Sequence, residues 1–222
     1  MKDSKYLNLI TAIFTTILVV SNIIGGKLVA IGGYDRFSAV ILFFPVSYII
    51  GDVLTEVYGY GADRRVIWTG FVCNLLAVMV IAVAVQLPPA PSFKNQAAYA
   101  LVLGSAPRLM AASFIAYLGG GFINAYVMAK LKIKTEGRQL WFRTIGSTVI
   151  AQIVDTGLFM FIAFFGVFPW HDVLVAILCE WLAKCALEAF ATPLTYAVVG
   201  FLKRQEGIDH YDRATDFRPF KY

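Results

Sequence analysis

The stretch ILCEWLAKCALEAF, Ile177–Phe190, combines an apolar run with three charged residues, and this combination decides how the fold is interpreted. It lies within a longer apolar segment, residues 173–202, and contains Glu180, Lys184 and Glu188 at intervals of four residues. Positions i, i+4 and i+8 form one narrow stripe on a helix, so the two glutamates can flank the lysine. One negative charge is then left over on a helix that otherwise has the composition of a membrane span.

The whole chain shares this apolar character. It has 222 residues, of which 59% are hydrophobic and only 15% are charged, and its mean hydropathy is +0.71. A soluble domain of this size would carry more charge and fewer apolar runs. The length suits a single compact domain. We therefore predict an all-α integral membrane protein.

Six segments are long enough to cross a bilayer, because the hydrocarbon core requires roughly 20 apolar residues per helix. They are residues 7–24, 37–57, 66–86, 107–129, 145–168 and 173–202. The first segment is not followed by a cleavage pattern, which favours a retained helix over a signal peptide. We predict that residues 1–222 form one domain, with six transmembrane helices in one bundle.

The basic residues divide unequally between the two sides of this predicted bundle. Fourteen lie in the N-terminus, the second and fourth loops and the C-terminal tail, and only Lys27, Arg36, Lys94 and Arg108 lie on the other side. The positive-inside rule then places both termini in the cytoplasm. The net charge of +5 is explained by basic loops that face anionic lipid, so no nucleic-acid partner is expected.

Every predicted helix carries a polar residue at membrane depth. An ionised side chain at the bilayer centre costs about 2.5–3.5 kcal/mol, so such residues are expected to face inward and to have partners. Asp52, Asp155 and Glu180 lie deepest, and we favour a functional role for them. Glu56 lies near the cytoplasmic end, where it can be interfacial or pair with Arg64 or Arg65. Glu188 and Asn74 can equally serve to hold helices together.

Catalytic chemistry has no support in the sequence. Only two histidines are present, His171 in a loop and His210 in the tail, and the three cysteines lie in apolar segments without a CxxC pair. The motifs of a metalloprotease, an α/β-hydrolase and an ATPase are all missing. We expect no metal, no cofactor and no enzymatic activity. A polar cavity inside a helix bundle is instead typical of a small-molecule transporter.

Several segments resemble the queuosine precursor transporter family, which is related to the vitamin-uptake group. The matching segments are SNIIGGK (21–27), FPVSYIIGDVLTEVYGY (44–60), RRVIWTG (64–70), AYLGGGFINAYVMAKLK (116–132), RTIGSTVIAQIVDTGLFMFIAFFG (143–166), and the tail EGIDHYD (206–212). The resemblance covers nearly the whole chain, and TEVYGY is its most specific part. It implies six helices, a bacterial inner membrane location, and uptake of the 7-deazaguanines preQ0 and preQ1 for tRNA modification. The implied fold is similar to the substrate-binding subunits of energy-coupling-factor transporters, here acting without the ATPase module.

The implied ligand can be matched to residue types. A 7-deazaguanine presents an N1–H and an exocyclic amine side by side, and one carboxylate accepts from both as a charge-assisted pair. Its O6 needs a donor, which asparagine, glutamine or lysine can provide. Its flat face suits an aromatic surface such as Trp68, Phe122, Tyr126 or Phe159. The aminomethyl group of preQ1 is cationic and would need a second acidic group.

The sequence therefore predicts a substrate site within the bundle. Asp155 or Glu180 would grip the guanine-like edge, with Lys184 holding Glu180 in place and ionised. Asp52 would bind the same ligand or form part of a gate. The remaining hydrogen-bonding residues of the predicted site are Asn22, Asn124 and Gln152.

Other features leave alternatives open. The chain can be an autonomous transporter, or a substrate-binding subunit for a vitamin-like molecule that needs a separate ATPase module. Transport can be coupled to a proton or ion, or it can be facilitated, and the preferred precursor is open. A homodimer is one option, although no interface pattern supports it. Pro193 is expected to kink or break the sixth helix, and glycines 119–121 to allow close helix packing or bending.

Overall fold

The computed structural model describes residues 4–25, 27–31, 34–104 and 107–221, and these residues form an α-helical bundle with one β-hairpin. A 3₁₀ turn, Ala39–Leu42, precedes α2, and a π-helical turn, Leu54–Tyr58, follows it. The other elements are α1 (Leu7–Ile24), β1 (Leu28–Ile31), β2 (Tyr34–Ser38), α2 (Phe44–Val53), α3 (Tyr60–Gln86), α4 (Gln96–Leu103), α5 (Pro107–Lys134), α6 (Leu140–Phe164) and α7 (Trp170–Glu206).

The helices follow the predicted spans, with one main difference. The first predicted segment coincides with α1, whereas the second, 37–57, is helical only from Phe44. Residues 34–38 instead pair antiparallel with β1, in a register that sets Leu28 opposite Ser38 and Ile31 opposite Tyr34. This pairing gives hydrogen-bond partners to backbone groups between α1 and α2 that lie outside any helix. The short helix α4 was not predicted.

Four stretches of the described residues are long and apolar enough to cross a membrane by length and composition. They are Leu7–Ile24, Tyr60–Gln86, Gln96–Lys134 and Leu140–Phe164. Large apolar side chains are exposed on the outer faces of the helices, for example Val80 on α3, Ile153 on α6 and Phe190 on α7. A soluble bundle would bury such residues, whereas lipid accommodates them. The fold is therefore consistent with an all-α membrane protein.

The last helix, α7, runs for 37 residues and continues through Pro193. Proline removes one backbone hydrogen bond from a helix. Two threonine hydroxyls next to it donate to backbone carbonyls one turn back, Thr192 to Glu188 at 2.9 Å and Thr195 to Ala191 at 3.4 Å. The predicted break at this proline is therefore absent.

Both ends of the chain meet at one end of the bundle, which we call the tail side. The backbone N–H groups of Lys5 and Tyr6, just before α1, donate to the carboxylate of Glu206 at the end of α7, at 3.0 and 2.8 Å. Further contacts described below bring the end of α5 and the starts of α3 and α6 to the same side. The segments α1, α2, α3, α5, α6 and α7 therefore alternate in direction.

Five charged side chains, three of them buried, form a network on the tail side, which we call the tail network. Glu56 is fully buried, and one of its carboxylate oxygens lies 2.8 Å from Arg143, 2.7 Å from Lys203 and 3.7 Å from Lys132. Asp209 in the tail bridges the same two lysines, at 2.5 Å from Lys132 and 2.8 Å from Lys203. The network joins α5, α6, α7, the π-helical turn and the tail.

The expectation that Glu56 pairs with Arg64 or Arg65 is wrong. All five residues of the π-helical turn are buried, so Glu56 lies inside the bundle among three basic side chains. Arg64 instead donates from Nη1 to the backbone carbonyls of Asp216 and Arg218, at 3.0 and 2.7 Å. Arg64 therefore binds the tail and not Glu56.

The tail packs across the start of α3. The carboxylate of Asp212 accepts a hydrogen bond from the backbone N–H of Tyr60 at 2.9 Å, which satisfies a free donor at the helix N-terminus. Gly59 has a φ of +84°, and the His210 ring packs where a Cβ would lie, so only glycine fits there.

Partial burial acts to raise the pKa of Asp209, but the hydrogen bonds and charges of Lys132 and Lys203 outweigh it and lower that pKa.

The helices α5 and α6 pack closely because glycine lies at their contact. A Cβ on Gly120 would lie 2.7 Å from the Cβ of Asp155, and a Cβ on Gly119 would lie 2.9 Å from a methyl group of Leu158. Small residues let helix backbones approach each other in a membrane. The prediction of close packing at these glycines is confirmed.

We expect the Glu56→Gln substitution to destabilise the protein strongly, because it leaves three basic side chains without their shared counter-charge. Removing one partner of a buried ion pair costs about 3–5 kcal/mol. The measurement is thermal unfolding of the detergent-purified protein. Glu136→Gln, at an exposed position of the loop between α5 and α6, is the matched control and should unfold as the wild type does. An unchanged midpoint for Glu56→Gln would contradict the structural role of the network.

We expect Gly120→Ala to lower the unfolding midpoint, because overpacking a tight helix contact costs about 1–3 kcal/mol. Gly157→Ala is the control on α6, since a Cβ there meets nothing within 4 Å. Alanine also favours helix over glycine, so this control should leave the midpoint unchanged or raise it. Equal midpoints for the two variants would show that the α5–α6 contact is looser than described.

Candidate binding site within the helix bundle

A cluster of polar side chains lies between α2, α5, α6 and α7, and we call it the polar cluster. Helical spacing brings its members to the inner faces of their helices, because residues three or four positions apart share a face. On α7, the three charged residues of the stripe face the inside of the bundle: Lys184 and Glu188 are buried and Glu180 is half-buried. The other members are Tyr48, Asp52, Asn124, Gln152, Asp155 and Thr156.

The part of the cluster farther from the tail side is organised by Lys184. Its Nζ atom donates to Asp155 Oδ2 and to Thr156 Oγ1, both at 3.0 Å. The side chain of Lys184 is 5% exposed, whereas that of Asp155 is 25% exposed. Glu180 lies close enough to interact with the charges of both residues. An ammonium group between two carboxylates therefore faces a partly open region of the bundle.

This geometry changes the role predicted for Lys184. The stripe on α7 suggested that the lysine is compensated by its own helix, but its hydrogen bonds to Asp155 and Thr156 reach across to α6. Its interaction with Glu180 is electrostatic. The lysine therefore joins α6 to α7 at membrane depth.

The part of the cluster nearer the tail side contains Asp52 and Glu188, both fully buried. Asn124 donates from Nδ2 to Asp52 Oδ1 at 3.0 Å, which links α5 to α2. Asp52 and Glu188 lie on helices that pack against each other and are close enough for their charges to interact. Two acidic side chains on different helices therefore meet inside the bundle.

Several acceptor atoms in the cluster receive no hydrogen bond from the described residues. A buried acceptor without a donor costs about 1–3 kcal/mol and calls for an explanation such as a ligand. The atoms are Asp52 Oδ2, Asn124 Oδ1, Gln152 Oε1 and both carboxylate oxygens of Glu188. The cluster is thus rich in acceptors, as a site for a donor-rich molecule would be.

Sequence reasoning missed three members of this cluster. Tyr48 is half-buried and lies close enough to the acidic residues to interact with the charges of Asp155, Glu180 and Glu188. The available signal was its position one helical turn before Asp52. Thr156 follows Asp155 directly, and Glu188 was set aside because a packing role was equally consistent with the pattern.

Three of the four aromatic residues proposed to stack on the ligand, Trp68, Phe122 and Tyr126, pack with one another or with the tail. Trp68 packs against Phe122 and the tail residue Phe220, with ring centroids 5.8 and 5.6 Å away, and its indole donates to the Pro219 carbonyl. Tyr126 packs against Phe217 of the tail at 5.3 Å. Phe159 contacts the ring of Phe164 at 6.2 Å. Tyr48 is the aromatic side chain that the structure places among the acidic residues.

Asn22 is separate from the polar cluster. Its amide donates to Asn74 Oδ1 of α3 at 2.6 Å, and both residues line a cavity of about 210 Å³. The cavity is also lined by Val78 and Ile81 of α3 and by Met110 of α5. Of the seven predicted site residues, the structure therefore brings six together: Asp52, Asn124, Gln152, Asp155, Glu180 and Lys184.

Comparison with known proteins agrees with this architecture. Residues 38–198 match a protein family described as "Putative vitamin uptake transporter". The chain is 31% identical over 166 residues to the "Probable queuosine precursor transporter" of Bacillus subtilis (strain 168), covering 74% of this chain and 72% of that protein. It is 26% identical over 159 residues to the "Queuosine precursor transporter" of Escherichia coli (strain K12), covering 72% and 66%. No solved structure matches the chain.

The family match covers more than half of the chain and includes all six clustered site residues. The apolar helices and the transporter relatives together indicate a multi-pass membrane protein. This chain therefore belongs to the vitamin uptake transporter family.

Proposed function

We propose that this protein imports queuosine precursors of the 7-deazaguanine type across the bacterial inner membrane. Two relatives are named for this transport, and the family is one of uptake transporters. A transporter needs a polar site inside an apolar bundle, and the polar cluster supplies one. The protein acts as a transporter rather than as an enzyme.

The proposed topology has six crossings with both termini in the cytoplasm. The alternating directions of the helices and the contact between Lys5 and Glu206 support an even number of crossings. The tail side also carries the basic side chains of Lys132, Arg143 and Lys203. Basic residues concentrate on the cytoplasmic side of membrane proteins, so the tail side is the cytoplasmic side.

The observation that carries the proposed function is a pair of buried acceptors in the polar cluster, Asn124 Oδ1 and Gln152 Oε1, which receive no hydrogen bond from the described residues. A 7-deazaguanine offers several N–H groups along one edge, and a carboxylate accepts two of them at once. Its flat ring can lie against Tyr48. The ligand thus provides the donors that the described residues of the cluster do not.

We assign to Glu180 the pair of hydrogen bonds with the N1–H and the exocyclic amine of the guanine-like edge. Asp155 is already held by Lys184, whereas Glu180 takes part in none of the hydrogen bonds between described residues and is only half-buried. Lys184 can donate to O6, and Asn124 and Gln152 complete the polar shell. Asp155 then keeps the lysine in position.

The first test replaces each carboxylate by its amide. In Glu180→Gln we expect loss of a charge-assisted hydrogen bond worth about 1.5–3 kcal/mol, and thus binding weakened about 10–100-fold. Thermal-shift titration with preQ0 and preQ1 measures binding, and uptake into cells measures transport. Asp155→Asn should abolish uptake, because Lys184 loses the charged carboxylate with which it forms an ion pair.

The control for this test is Asp172→Asn, which changes an exposed carboxylate at the start of α7 and should behave as the wild type. Membrane levels of all variants should be normal. Wild-type uptake in both Glu180→Gln and Asp155→Asn would refute the assignment of the site.

A second test separates an autonomous transporter from a subunit that needs an ATPase partner. The purified protein is reconstituted alone in liposomes, and entry of radiolabelled preQ0 is followed. We expect saturable entry that unlabelled preQ1 competes for, since the polar cluster is built entirely from this chain. Binding without any entry would favour the dependent subunit.

A further inference from the structure

The contact between Asp52 and Glu188 is chemically incomplete. Both side chains are fully buried, and they lie on helices that pack against each other, close enough for their charges to interact. Two ionised carboxylates can only accept hydrogen bonds, so neither can satisfy the other. Asn124 supplies one donor to Asp52 Oδ1, but none of the described residues supplies a donor to Asp52 Oδ2 or to Glu188. A single proton between the two carboxyl groups would turn one of them into a donor.

The ion pairs between described residues give this pair no compensating positive charge. In the described part of the chain, none of the ion pairs includes Asp52 or Glu188, and Lys184, the cation on the same stripe, is paired with Asp155. The other polar groups facing the pair are neutral or acidic. They are Tyr48 from α2, Glu56 from the π-helical turn, Asp63 from α3, Asn124 from α5 and Cys185 from α7.

Two neighbouring carboxylates in a low-dielectric interior cannot both remain ionised without a cation. They titrate as a coupled unit that holds a proton in one state and releases it in another. The contrast with Glu56 is direct, since that carboxylate has three basic partners. The Asp52–Glu188 pair is therefore a place among the described residues where a bound proton would remove an unfavourable contact.

The pair also lies between the proposed substrate residues and the cytoplasmic side. Tyr48 and Asp52 lie one turn apart on α2, and Glu56 follows in the π-helical turn. On α7, Glu188 lies one turn from Lys184 towards the tail side. Asn124 contacts Asp52 directly and belongs to the proposed ligand shell. A change in the charge of the pair would thus change the hydrogen bond between Asp52 and Asn124, and through this amide it would affect the substrate site.

We propose that Asp52 and Glu188 form the proton-coupling site of this protein, which takes up one proton from outside with each precursor molecule and releases it to the cytoplasm. The inference rests on the proposed transport function. Protonation stabilises the pair when the substrate site is loaded from outside. Release of the proton towards the tail side returns the pair to its charged form and resets the transporter.

The test uses purified protein in liposomes and radiolabelled preQ0, which lacks the cationic group of preQ1. A proton gradient, acidic outside, is imposed with the membrane potential clamped, and a sodium gradient is the second arm. For one proton per substrate, accumulation should rise by about tenfold for each unit of pH difference. A protonophore should abolish it, and the sodium gradient should have no effect.

The decisive variant is Glu188→Gln, whose amide supplies the missing donor permanently. It should still bind preQ0 in a thermal-shift titration and exchange labelled for unlabelled preQ0 across the membrane. Its accumulation ratio under a proton gradient should fall to one. Asp172→Asn should accumulate as the wild type does. Accumulation in Glu188→Gln equal to that of the wild type, or accumulation driven only by sodium, would overturn the proposal.

A second measurement does not depend on the ligand. Infrared difference spectra of the protein between acidic and alkaline pH should contain the carbonyl band of a protonated carboxylic acid that disappears in both Glu188→Gln and Asp52→Asn. Absence of that band in the wild type would refute the proton site even if transport is confirmed. Presence of the band without any binding of preQ0 would instead refute the proposed cargo and leave the proton site standing.

Discussion

The buried carboxylate of Glu56 is the interaction on which the rest of the structure depends. A charge at this depth is stable only with partners, and its partners come from three different helices, as Lys132, Arg143 and Lys203. Lys132 and Lys203 also hold Asp209, which fixes the tail against the bundle. One carboxylate thus determines how α5, α6 and α7 are arranged around the π-helical turn.

The bundle contains two kinds of buried acidic side chain. One kind has basic partners and a structural role, and the other has no such partners among the described residues and a proposed functional role. Glu56 is surrounded by basic groups and has the environment of a structural ion pair. Asp52 and Glu188 face each other without a cation among the described residues, which is costly unless a proton or ligand joins them. Asp155 and Glu180 lie between these extremes, because Lys184 is shared and the region is partly open. Charge compensation therefore differs along the bundle. It is complete at Glu56, missing among the described residues at Asp52 and Glu188, and partial at Asp155 and Glu180.

Sequence patterns predicted those features that depend on one helix at a time. The span 7–24 and the α7 stripe were correct, because apolar runs and four-residue spacing are properties of a single helix. The partners of Glu56 and the separation of Asn22 from the other site residues were not predictable. These contacts depend on how each helix is rotated about its axis and on which helix faces meet. Local patterns in a single sequence do not specify either. The hairpin at 28–38 was missed because residues 28–36 were interpreted as a loop between the first two predicted spans, and residues 37 and 38 were assigned to the start of the second.

These observations explain why the segment TEVYGY, residues 55–60, is distinctive although it lies outside the polar cluster. Glu56 and Gly59 fix the end of α2, one through the tail network and the other through its positive φ beneath His210. Fixing the end of a helix also fixes the rotation of the turns before it. Asp52 and Tyr48 lie one and two turns earlier, so their inward direction is set by contacts on the tail side. The segment therefore acts on the site at a distance, by positioning rather than by contact with the ligand.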